Sequence, residues 1–275
     1  YLLDAGFQLS HGAILAILFV IPAIRDFMGK KGKIAETLIS GVAINLALFP
    51  ITLWYYYEIP TYSILWNLIV IPMMSWLLGL GMIGSLIPFA RICLQLCRGI
   101  LWCYEMIGTL GNCLPWNRIV LGRPSVVAIV TFYLTLIIFV RWNQYLKSHM
   151  KIVIVCFFMS ILFFIKFPNG KLEITMLDVG QGDCIFLKAP NGNACLVDGG
   201  SSDITKVGKY RIESFLKYKG IGTLEYVFVS HGDSDHCNGI EELIEREKYS
   251  VRIKNLVLPE TYKQDQELIE LGRKA

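Results

Sequence analysis

Charged side chains are scarce in this sequence. Asp, Glu, Lys and Arg make up 17% of its 275 residues, against roughly a quarter of an ordinary soluble domain. Hydrophobic residues make up 54%. Such a shortage of charge excludes a wholly soluble chain, and we expect a membrane protein that carries a soluble part.

Paired cysteine motifs are also absent. The chain has eight cysteines but no Cys-x-x-Cys pair, so the sequence supports neither a structural zinc site nor a disulfide framework. Five of the eight lie in apolar helix-like sequence, where a free cysteine behaves as a small hydrophobe: Cys93, Cys97, Cys103, Cys113 and Cys156.

The sequence has neither an initiator methionine nor a signal-peptide pattern. It begins at Tyr1 in apolar sequence and stops at Ala275 in helix-like sequence. We therefore expect a fragment of a longer protein.

The charge that is present divides the chain near Pro168–Gly170. Residues 1–170 hold 12 Lys or Arg and five Asp or Glu, whereas residues 171–275 hold 14 and 17. Long apolar runs fill the first part, and alternating strand-like and charged helix-like segments fill the second. This pattern predicts a truncated helical membrane domain over residues 1–168 and a truncated α/β domain over residues 171–275.

A membrane-spanning helix needs about 20 mainly apolar residues. Residues 91–113 differ from the other apolar runs, because polar side chains recur every three or four positions from Arg91 to Thr109. This stripe is typical either of an amphipathic helix in the membrane interface or of a spanning helix that faces an aqueous path. We expect five or six crossings, with the five clear candidates at residues 7–24, 37–57, 64–88, 124–140 and 150–167.

Loop charge bears on the orientation of these helices. The loop from Arg25 to Lys33 holds four basic residues, which assigns it to the cytoplasm, whereas Tyr55–Pro60 holds none and is expected outside. Six crossings then leave the soluble domain outside, and five leave it inside. Only six crossings bring the basic residues between positions 141 and 151 to the cytoplasm, so loop charge favours an external domain.

Uncharged polar residues lie within three of the candidate spans. Gln8 is in the first, Asn45 precedes Pro50 in the second, and Asn67 precedes Pro72 in the third. A proline frees a backbone carbonyl, so a broken helix beside a polar residue often lines a path. Ordinary packing between helices explains these residues equally well, and both interpretations stay open.

The sequence beyond residue 171 has the short period of strands. Turn signals at Asp178–Asp183 and Pro190–Asn193 separate the first three strand-like segments. Strands are predicted at residues 172–177, 184–188, 194–197, 224–230 and 251–258, and helices at residues 204–218, 239–248 and 260–275.

The most specific motif is His231–His236, which directly follows a predicted strand. It places two of the chain's four histidines and two aspartates within six residues. Imidazole nitrogens and carboxylate oxygens bind divalent ions that activate water, and a loop leaving a strand allows them to converge. The motif predicts a metal site for hydrolysis.

This motif ends a series that consists of a strand, Asp198-Gly199-Gly200, a helix and a second strand. The series resembles the N-terminal half of a metallo-β-lactamase-type hydrolase, an α/β sandwich. The usual family motif is His-x-His-x-Asp-His, and Asp233 stands here at the second histidine. The resemblance implies that His231 and Asp233 hold one metal position and that Asp235 and His236 hold the other. It also implies catalytic carboxylates at Asp235 and Asp198, with further ligands beyond residue 275.

Asp233 adds an oxygen ligand where the family usually has nitrogen. The site is therefore expected to be less selective for zinc than a site with the usual family motif. We expect one or two divalent ions, Mn²⁺ or Zn²⁺, with Mg²⁺ as a further candidate.

Two motifs together resemble the ComEC/Rec2 family of competence proteins. They are Asp4–Ser10, Asp-Ala-Gly-Phe-Gln-Leu-Ser in a membrane helix, and Leu177–Asp183, Leu-Asp-Val-Gly-Gln-Gly-Asp at the start of the soluble domain. His11 departs from the aromatic residue expected there. The resemblance implies a multi-pass channel in the cytoplasmic membrane that passes one DNA strand, with a metal-dependent nuclease domain degrading the other. The partners it implies are DNA, membrane lipids, other proteins of the competence machinery and further copies of the chain.

Two groups of residues are candidates for contact with such a substrate. Gln181 and Asp183 either face the substrate or form a tight connection between strands. Basic residues of the predicted helix either contact phosphate or form a solvated helix face: Lys206, Lys209, Arg211, Lys217 and Lys219.

Other functions remain compatible with the sequence. The soluble domain is alternatively a metal-free binding or gating module of a transporter for another solute. It is also compatible with a membrane-tethered hydrolase of small esters.

Overall fold

The structure is a computed structural model that describes residues 1–29, 32–86, 91–142, 150–247 and 250–275. The chain forms two compact units. The first comprises residues 1–55, 59–119 and 126–162, and the second comprises residues 56–58, 120–125 and 163–275. Lys30, Lys31 and Lys147, which the topology expectation used, lie outside the described residues.

The described part of the first unit is helical. Its helices are α1 (Ala5–Leu15), α2 (Ile21–Met28), α3 (Lys33–Tyr56), α4 (Ser63–Leu86), α5 (Arg91–Cys113), α6 (Val126–Trp142) and α7 (Met150–Leu162). A π-helical turn, Ala16–Val20, joins α1 to α2. Pro22 follows this turn and has no N–H to donate, so the widened turn accommodates the missing hydrogen bond.

Three described helical stretches are long and apolar enough to cross a membrane: Ala5–Met28, Ala35–Tyr56 and Ser63–Leu86. Two shorter apolar stretches are Val126–Arg141 and Ile152–Leu162. Helix α5 has 23 residues, but it carries the polar stripe and is not among these three stretches. The helical membrane region expected from the sequence is therefore confirmed.

The polar residues of the first unit make short-range contacts. Asn45 donates to the Gly41 carbonyl oxygen over 2.9 Å and accepts from the Ser63 hydroxyl over 3.2 Å. Gln8 donates to the Leu2 carbonyl oxygen over 3.0 Å. Gln8 also borders a largely apolar cavity of about 1080 Å³ between α1, α2, α3 and α6. Asn67 is half-buried on α4.

A five-stranded mixed sheet organises the second unit. From one edge of the sheet to the other, its strands are β3 (Glu173–Met176), β4 (Ile185–Lys188), β5 (Ala194–Val197), β7 (Tyr226–Phe228) and β9 (Leu256–Val257). The first three are antiparallel, β7 runs parallel to β5, and β9 runs parallel to β7. Two-stranded pairs are formed by β1 (Glu58–Pro60) with β2 (Arg118–Val120) and by β6 (Thr223–Leu224) with β8 (Arg252–Ile253).

Helices α8 (Ser214–Lys219), α9 (Ser234–Glu245) and α10 (Gln266–Lys274) complete this unit. Phe186, Leu196 and Val227 of the sheet and Leu216 and Ile240 of the helices are fully buried in one core. The α/β architecture predicted from the alternating pattern is confirmed, because β4, β5 and β7 contribute buried residues to the same core as these helices.

Helix boundaries in the second unit differ from the prediction. Helical structure after β5 begins at Gly208, as a π-helical segment to Glu213 that leads into α8, and not at 204. Helix α9 begins at Ser234 and not at Gly239, because Asp233 is extended at its N-cap and Asp235 lies favourably in its first turn. The second half of the histidine motif is therefore helical, which fixes the spacing of its side chains.

Candidate metal centre

The candidate metal centre lies where β7 ends and α9 begins. Ser230 to Asp233 form the connecting loop, and Asp235 and His236 belong to the first turn of α9. Asp198 follows β5, the neighbour of β7 in the sheet, and its residue is only 6% exposed. The parallel pairing brings the ends of β5 and β7 to the same edge of the sheet, which explains why Asp198 meets the motif.

The Asp198 carboxylate is the hub of the site. Its Oδ1 accepts from the Ser230 backbone N–H over 2.7 Å, and its Oδ2 accepts from the Ser230 hydroxyl over 2.8 Å. Oδ2 also lies 3.1 Å from Nδ1 of His236. The backbone of Asp198 has a φ of 54°, in the left-handed region that few non-glycine residues adopt. Three hydrogen bonds to one buried carboxylate offset that strain.

This network assigns the tautomers of both histidines. Because the carboxylate accepts, Nδ1 of His236 carries the proton of their shared bond. The Ser230 hydroxyl gives its own proton to Asp198, so it accepts from Nδ1 of His231 over 2.8 Å. The ε-nitrogens of both rings keep their lone pairs, which is the form of histidine that binds a metal.

Each ε-nitrogen has carboxylate oxygens beside it. Nε2 of His231 lies 3.4 Å from Oδ2 of Asp233. Nε2 of His236 lies 3.8 Å from Oδ2 of Asp235 and 3.9 Å from Oδ2 of Asp183. The two imidazole rings are adjacent, with centroids 3.9 Å apart.

The imidazole nitrogens and carboxylate oxygens of the site are ligand types that bind divalent ions. Among the described residues, no three His, Cys, Asp or Glu side chains are gathered closely enough to hold a metal ion as they stand. Ligands at about 2.1 Å from one tetrahedral ion lie roughly 3.4 Å apart, so the distances around His236 exceed that value by only a few tenths of an ångström. The side chains of Asp183 and Asp235 are 62% and 40% exposed, which leaves them room to adjust.

Three loops meet at the site through glycines. A Cβ on Gly182 would lie 2.3 Å from the Gly200 carbonyl oxygen and 2.6 Å from that of Asp235. A Cβ on Gly200 would lie 2.4 Å from the Asp235 carbonyl carbon. The close approach allows the Asp183 N–H to donate to the Asp235 carbonyl oxygen over 3.2 Å. Only glycine permits this contact between backbones.

Two residues of the site were not among the predicted site residues. Ser230 directly precedes His231, and a hydroxyl next to a ligand is the signal that could have found it. Asp203 was not predicted as a site residue, but its carboxylate accepts from the Gln181 N–H over 2.9 Å and from the Ser201 hydroxyl over 2.8 Å. The hydrogen bond from the Gln181 backbone N–H lowers the pKa of Asp203, and the hydrogen bond from the Ser201 hydroxyl lowers it further. Asp203 therefore anchors the turn that carries Gln181 and Asp183.

The basic residues of this unit are not equally available to a ligand. Lys217 pairs with Glu58 over 3.0 Å and with Glu213 over 2.8 Å, and its side chain is 11% exposed. Lys219 pairs with Glu173. A solvated helix face is therefore wrong for Lys217, because two carboxylates hold it in a buried ion pair.

We expect Gly182→Ala to destabilise the protein. The added methyl would meet two backbone oxygens that cannot move without separating the loops, which costs roughly 1–3 kcal/mol. Thermal unfolding of the full-length protein would show a lower midpoint than the parent. Gly272→Ala, in α10, is the matched control, since its Cβ would meet only the flexible Leu258 side chain at 3.3 Å. Equal midpoints for both variants would contradict the close approach.

We expect Ser230→Ala to weaken metal binding by about 10- to 100-fold, because His231 loses the group that orients it. Isothermal titration of the full-length protein with Mn²⁺ or Zn²⁺ measures this affinity. Ser230→Thr keeps the hydroxyl and should restore binding, whereas Ser234→Ala, an exposed neighbour in α9, should leave it unchanged. If Ser230→Ala binds metal as tightly as the parent, the hydroxyl does not orient His231.

Comparison with known proteins adds two family matches. The family model described as "Competence protein" matches residues 1–145, and that described as "Metallo-beta-lactamase superfamily" matches residues 177–271. No solved structure matches the chain.

Three curated relatives are similar to the chain. "ComE operon protein 3" of Bacillus subtilis is 23% identical over 299 aligned positions, which cover 99% of this chain and 38% of that protein. "Competence protein ComA" of Neisseria gonorrhoeae is 26% identical, covering 87% of this chain and 33% of that protein. "Recombination protein 2" of Haemophilus influenzae is 32% identical over 100 residues, covering 36% and 12%.

The chain thus spans at most 38% of the length of these relatives. The expected order of the two regions is confirmed by the two family matches. Since the first of them covers more than half of the chain, this protein belongs to the competence protein family and carries a metallo-β-lactamase superfamily domain.

Proposed function

We propose that this chain is the core of a DNA-uptake protein of natural transformation. One DNA strand passes through its membrane region, and the metallo-β-lactamase domain degrades the other strand. The observation that carries the proposal is a pair of histidines, each with its ε-nitrogen beside a carboxylate, on a chain of the competence family. DNA, membrane lipids, other competence proteins and further copies of the chain are the proposed partners.

Membership of the metallo-β-lactamase superfamily supports the use of a metal. We propose that His231 and Asp233 hold one position and that Asp235 and His236 hold the other. A bound divalent ion would supply an activated water and would stabilise charge on a phosphodiester oxygen. Oxygen ligands from two aspartates favour Mn²⁺ at least as much as Zn²⁺, with Mg²⁺ as the third candidate.

The two carboxylates expected to be catalytic differ in their surroundings. Asp198 is buried and fully engaged by Ser230 and His236, so a positioning role suits it better than contact with substrate. Asp235 is 40% exposed at its side chain and remains the proposed carboxylate beside the reacting groups. Gln181 is exposed on the adjoining turn and is proposed to face the nucleic acid.

For the membrane region, we propose that Gln8, Asn45 and Asn67 contribute to the translocation path. The position of Gln8 at the cavity between the helices supports its part in this proposal. The hydrogen bonds of Asn45 to Gly41 and Ser63 support packing as its competing role.

We further propose that the metallo-β-lactamase domain lies outside the cytoplasmic membrane. The second unit includes residues 56–58, 120–125 and 163–275. Within it, the Tyr57 carbonyl oxygen accepts from the N–H groups of Leu121 and Gly122, and the Arg123 N–H donates to the Tyr218 carbonyl oxygen. The chain thus leaves this unit after residue 58 and returns at residue 120, and it leaves again after residue 125 and returns at residue 163.

Each of the two segments between a departure and a return contains two helices: α4 and α5 in the first, and α6 and α7 in the second. A chain that leaves and returns on one side crosses the membrane an even number of times, so this path supports a crossing by α5 despite its polar stripe. The positive-inside rule assigns the basic stretches of sequence near residues 25–33 and 141–151 to the cytoplasm, and six crossings then leave the second unit outside.

We expect the full-length protein to cleave DNA in the presence of Mn²⁺, and chelation of the metal to abolish cleavage. His231→Ala and His236→Ala should each reduce cleavage at least about 100-fold, because each removes a nitrogen ligand. His11→Ala, the same change in α1, is the control and should cleave normally. Hydrolysis of a small ester without hydrolysis of DNA would contradict the proposed substrate.

We expect single cysteines on opposite sides of the membrane to react differently with an impermeant thiol reagent in intact cells. In a cysteine-free background, Lys171→Cys should be labelled and Lys30→Cys should react only after the cells are opened. The reverse pattern would place the metallo-β-lactamase domain in the cytoplasm.

A further inference from the structure

We propose that Asp183 is a metal ligand that completes the position held by His236 and Asp235. The inference rests on the proposed function, because it assumes the metal centre described above. It assigns the Asp-Val-Gly-Gln-Gly-Asp turn a role in metal binding, in place of the substrate contact predicted for Asp183 from the sequence.

The first argument is distance. Oδ2 of Asp183 lies 3.9 Å from Nε2 of His236, as close as Oδ2 of Asp235 at 3.8 Å. The hydrogen bond of Nδ1 to Asp198 leaves that ε-nitrogen as an electron-pair donor. Two carboxylate oxygens, from two segments of the chain, therefore lie beside one imidazole nitrogen.

The second argument is the way the backbone of Asp183 is held. Its N–H donates to the Asp235 carbonyl oxygen over 3.2 Å, and its carbonyl oxygen accepts from the Gly200 N–H over 3.3 Å. Asp203 anchors Gln181, two residues earlier in the turn, by accepting a hydrogen bond from its N–H. The exposed carboxylate thus stands on a backbone fixed to a neighbouring ligand, as a preorganised metal site requires.

The third argument is charge. Asp183, Asp198, Asp233 and Asp235 surround two histidines, and none of the ion pairs in the described residues joins these carboxylates to Lys or Arg. A phosphodiester would be repelled by Asp183, whereas a divalent cation would be attracted to it.

The proposed ligand set has a consequence for the choice of metal. His236, Asp235 and Asp183 supply one nitrogen and two oxygens, and Asp233 supplies a further oxygen beside His231. Mn²⁺ and Mg²⁺ prefer sites that are rich in oxygen ligands to sites with softer nitrogen or sulfur ligands. The turn that carries Asp183 would therefore contribute directly to the metal preference of the domain.

Mn²⁺ binding to the full-length protein tests the proposal. Bound metal is measured by elemental analysis after dialysis, and affinity is measured by isothermal titration. Asp183→Asn should lose about one ion per chain or bind at least about tenfold more weakly, as His236→Ala should. Asp178→Asn is the matched control, since Asp178 is an exposed aspartate of the same turn and should bind Mn²⁺ as the parent does.

Unchanged Mn²⁺ binding in Asp183→Asn, with weaker DNA cleavage, would overturn the ligand assignment and favour a substrate contact. A parent that binds Mn²⁺ through Asp183 but does not cleave DNA would contradict the proposed function and leave the ligand assignment intact. If Asp183→Asn does not fold, Asp183→His decides the question. This variant restores a donor and should bind Zn²⁺ more tightly relative to Mn²⁺, and an unchanged preference would overturn the proposal.

Discussion

The buried Asp198 carboxylate is the constraint on which the candidate metal centre depends. It binds Ser230 twice and His236 once, and through Ser230 it also orients His231. A single acceptor thereby fixes the orientation and tautomer of two imidazole rings. Without it, the histidines would remain close in sequence, but their ε-nitrogens would have no fixed direction. The unusual backbone at Asp198 persists because this network holds it.

Around this hub, backbone contacts supply what side chains cannot. Gly182 and Gly200 allow three loops to approach within the distance of a hydrogen bond, so the Asp183 N–H reaches the Asp235 carbonyl oxygen. Asp203 then anchors the outer end of the same turn at Gln181. Carboxylates that would otherwise repel one another are held in one place by the backbone. A divalent cation is the partner that such an arrangement favours.

The membrane region follows a different physical rule, because lipid demands that backbone hydrogen bonds be satisfied within each segment. The helices meet that demand, and their polar side chains bond to nearby carbonyl oxygens or across a helix pair, as Asn45 does. The path of the chain adds a constraint that composition lacks. Residues 56–58 and 120–125 belong to the second unit, so α4 and α5 lie between two segments of that unit. We therefore propose that α5 crosses the membrane, although its sequence alone is equally compatible with an interfacial helix.

The sequence by itself determined the division into a membrane part and an α/β part, because hydropathy and charge change abruptly at one point. It also determined the histidine motif, since those ligands are neighbours in the chain. It could not determine which distant residues would join them. Asp198 is 38 residues from His236, and Asp183 is farther still, so their approach depends on the parallel pairing of β5 and β7 and on glycines in separate loops. The start of α9 at Ser234 was likewise decided by tertiary structure, because local propensity in an Asp- and Ser-rich stretch suits a turn as well as a helix. Strand order and close packing of backbones have no local signal in the chain, and they decided how the distant residues meet the histidine motif.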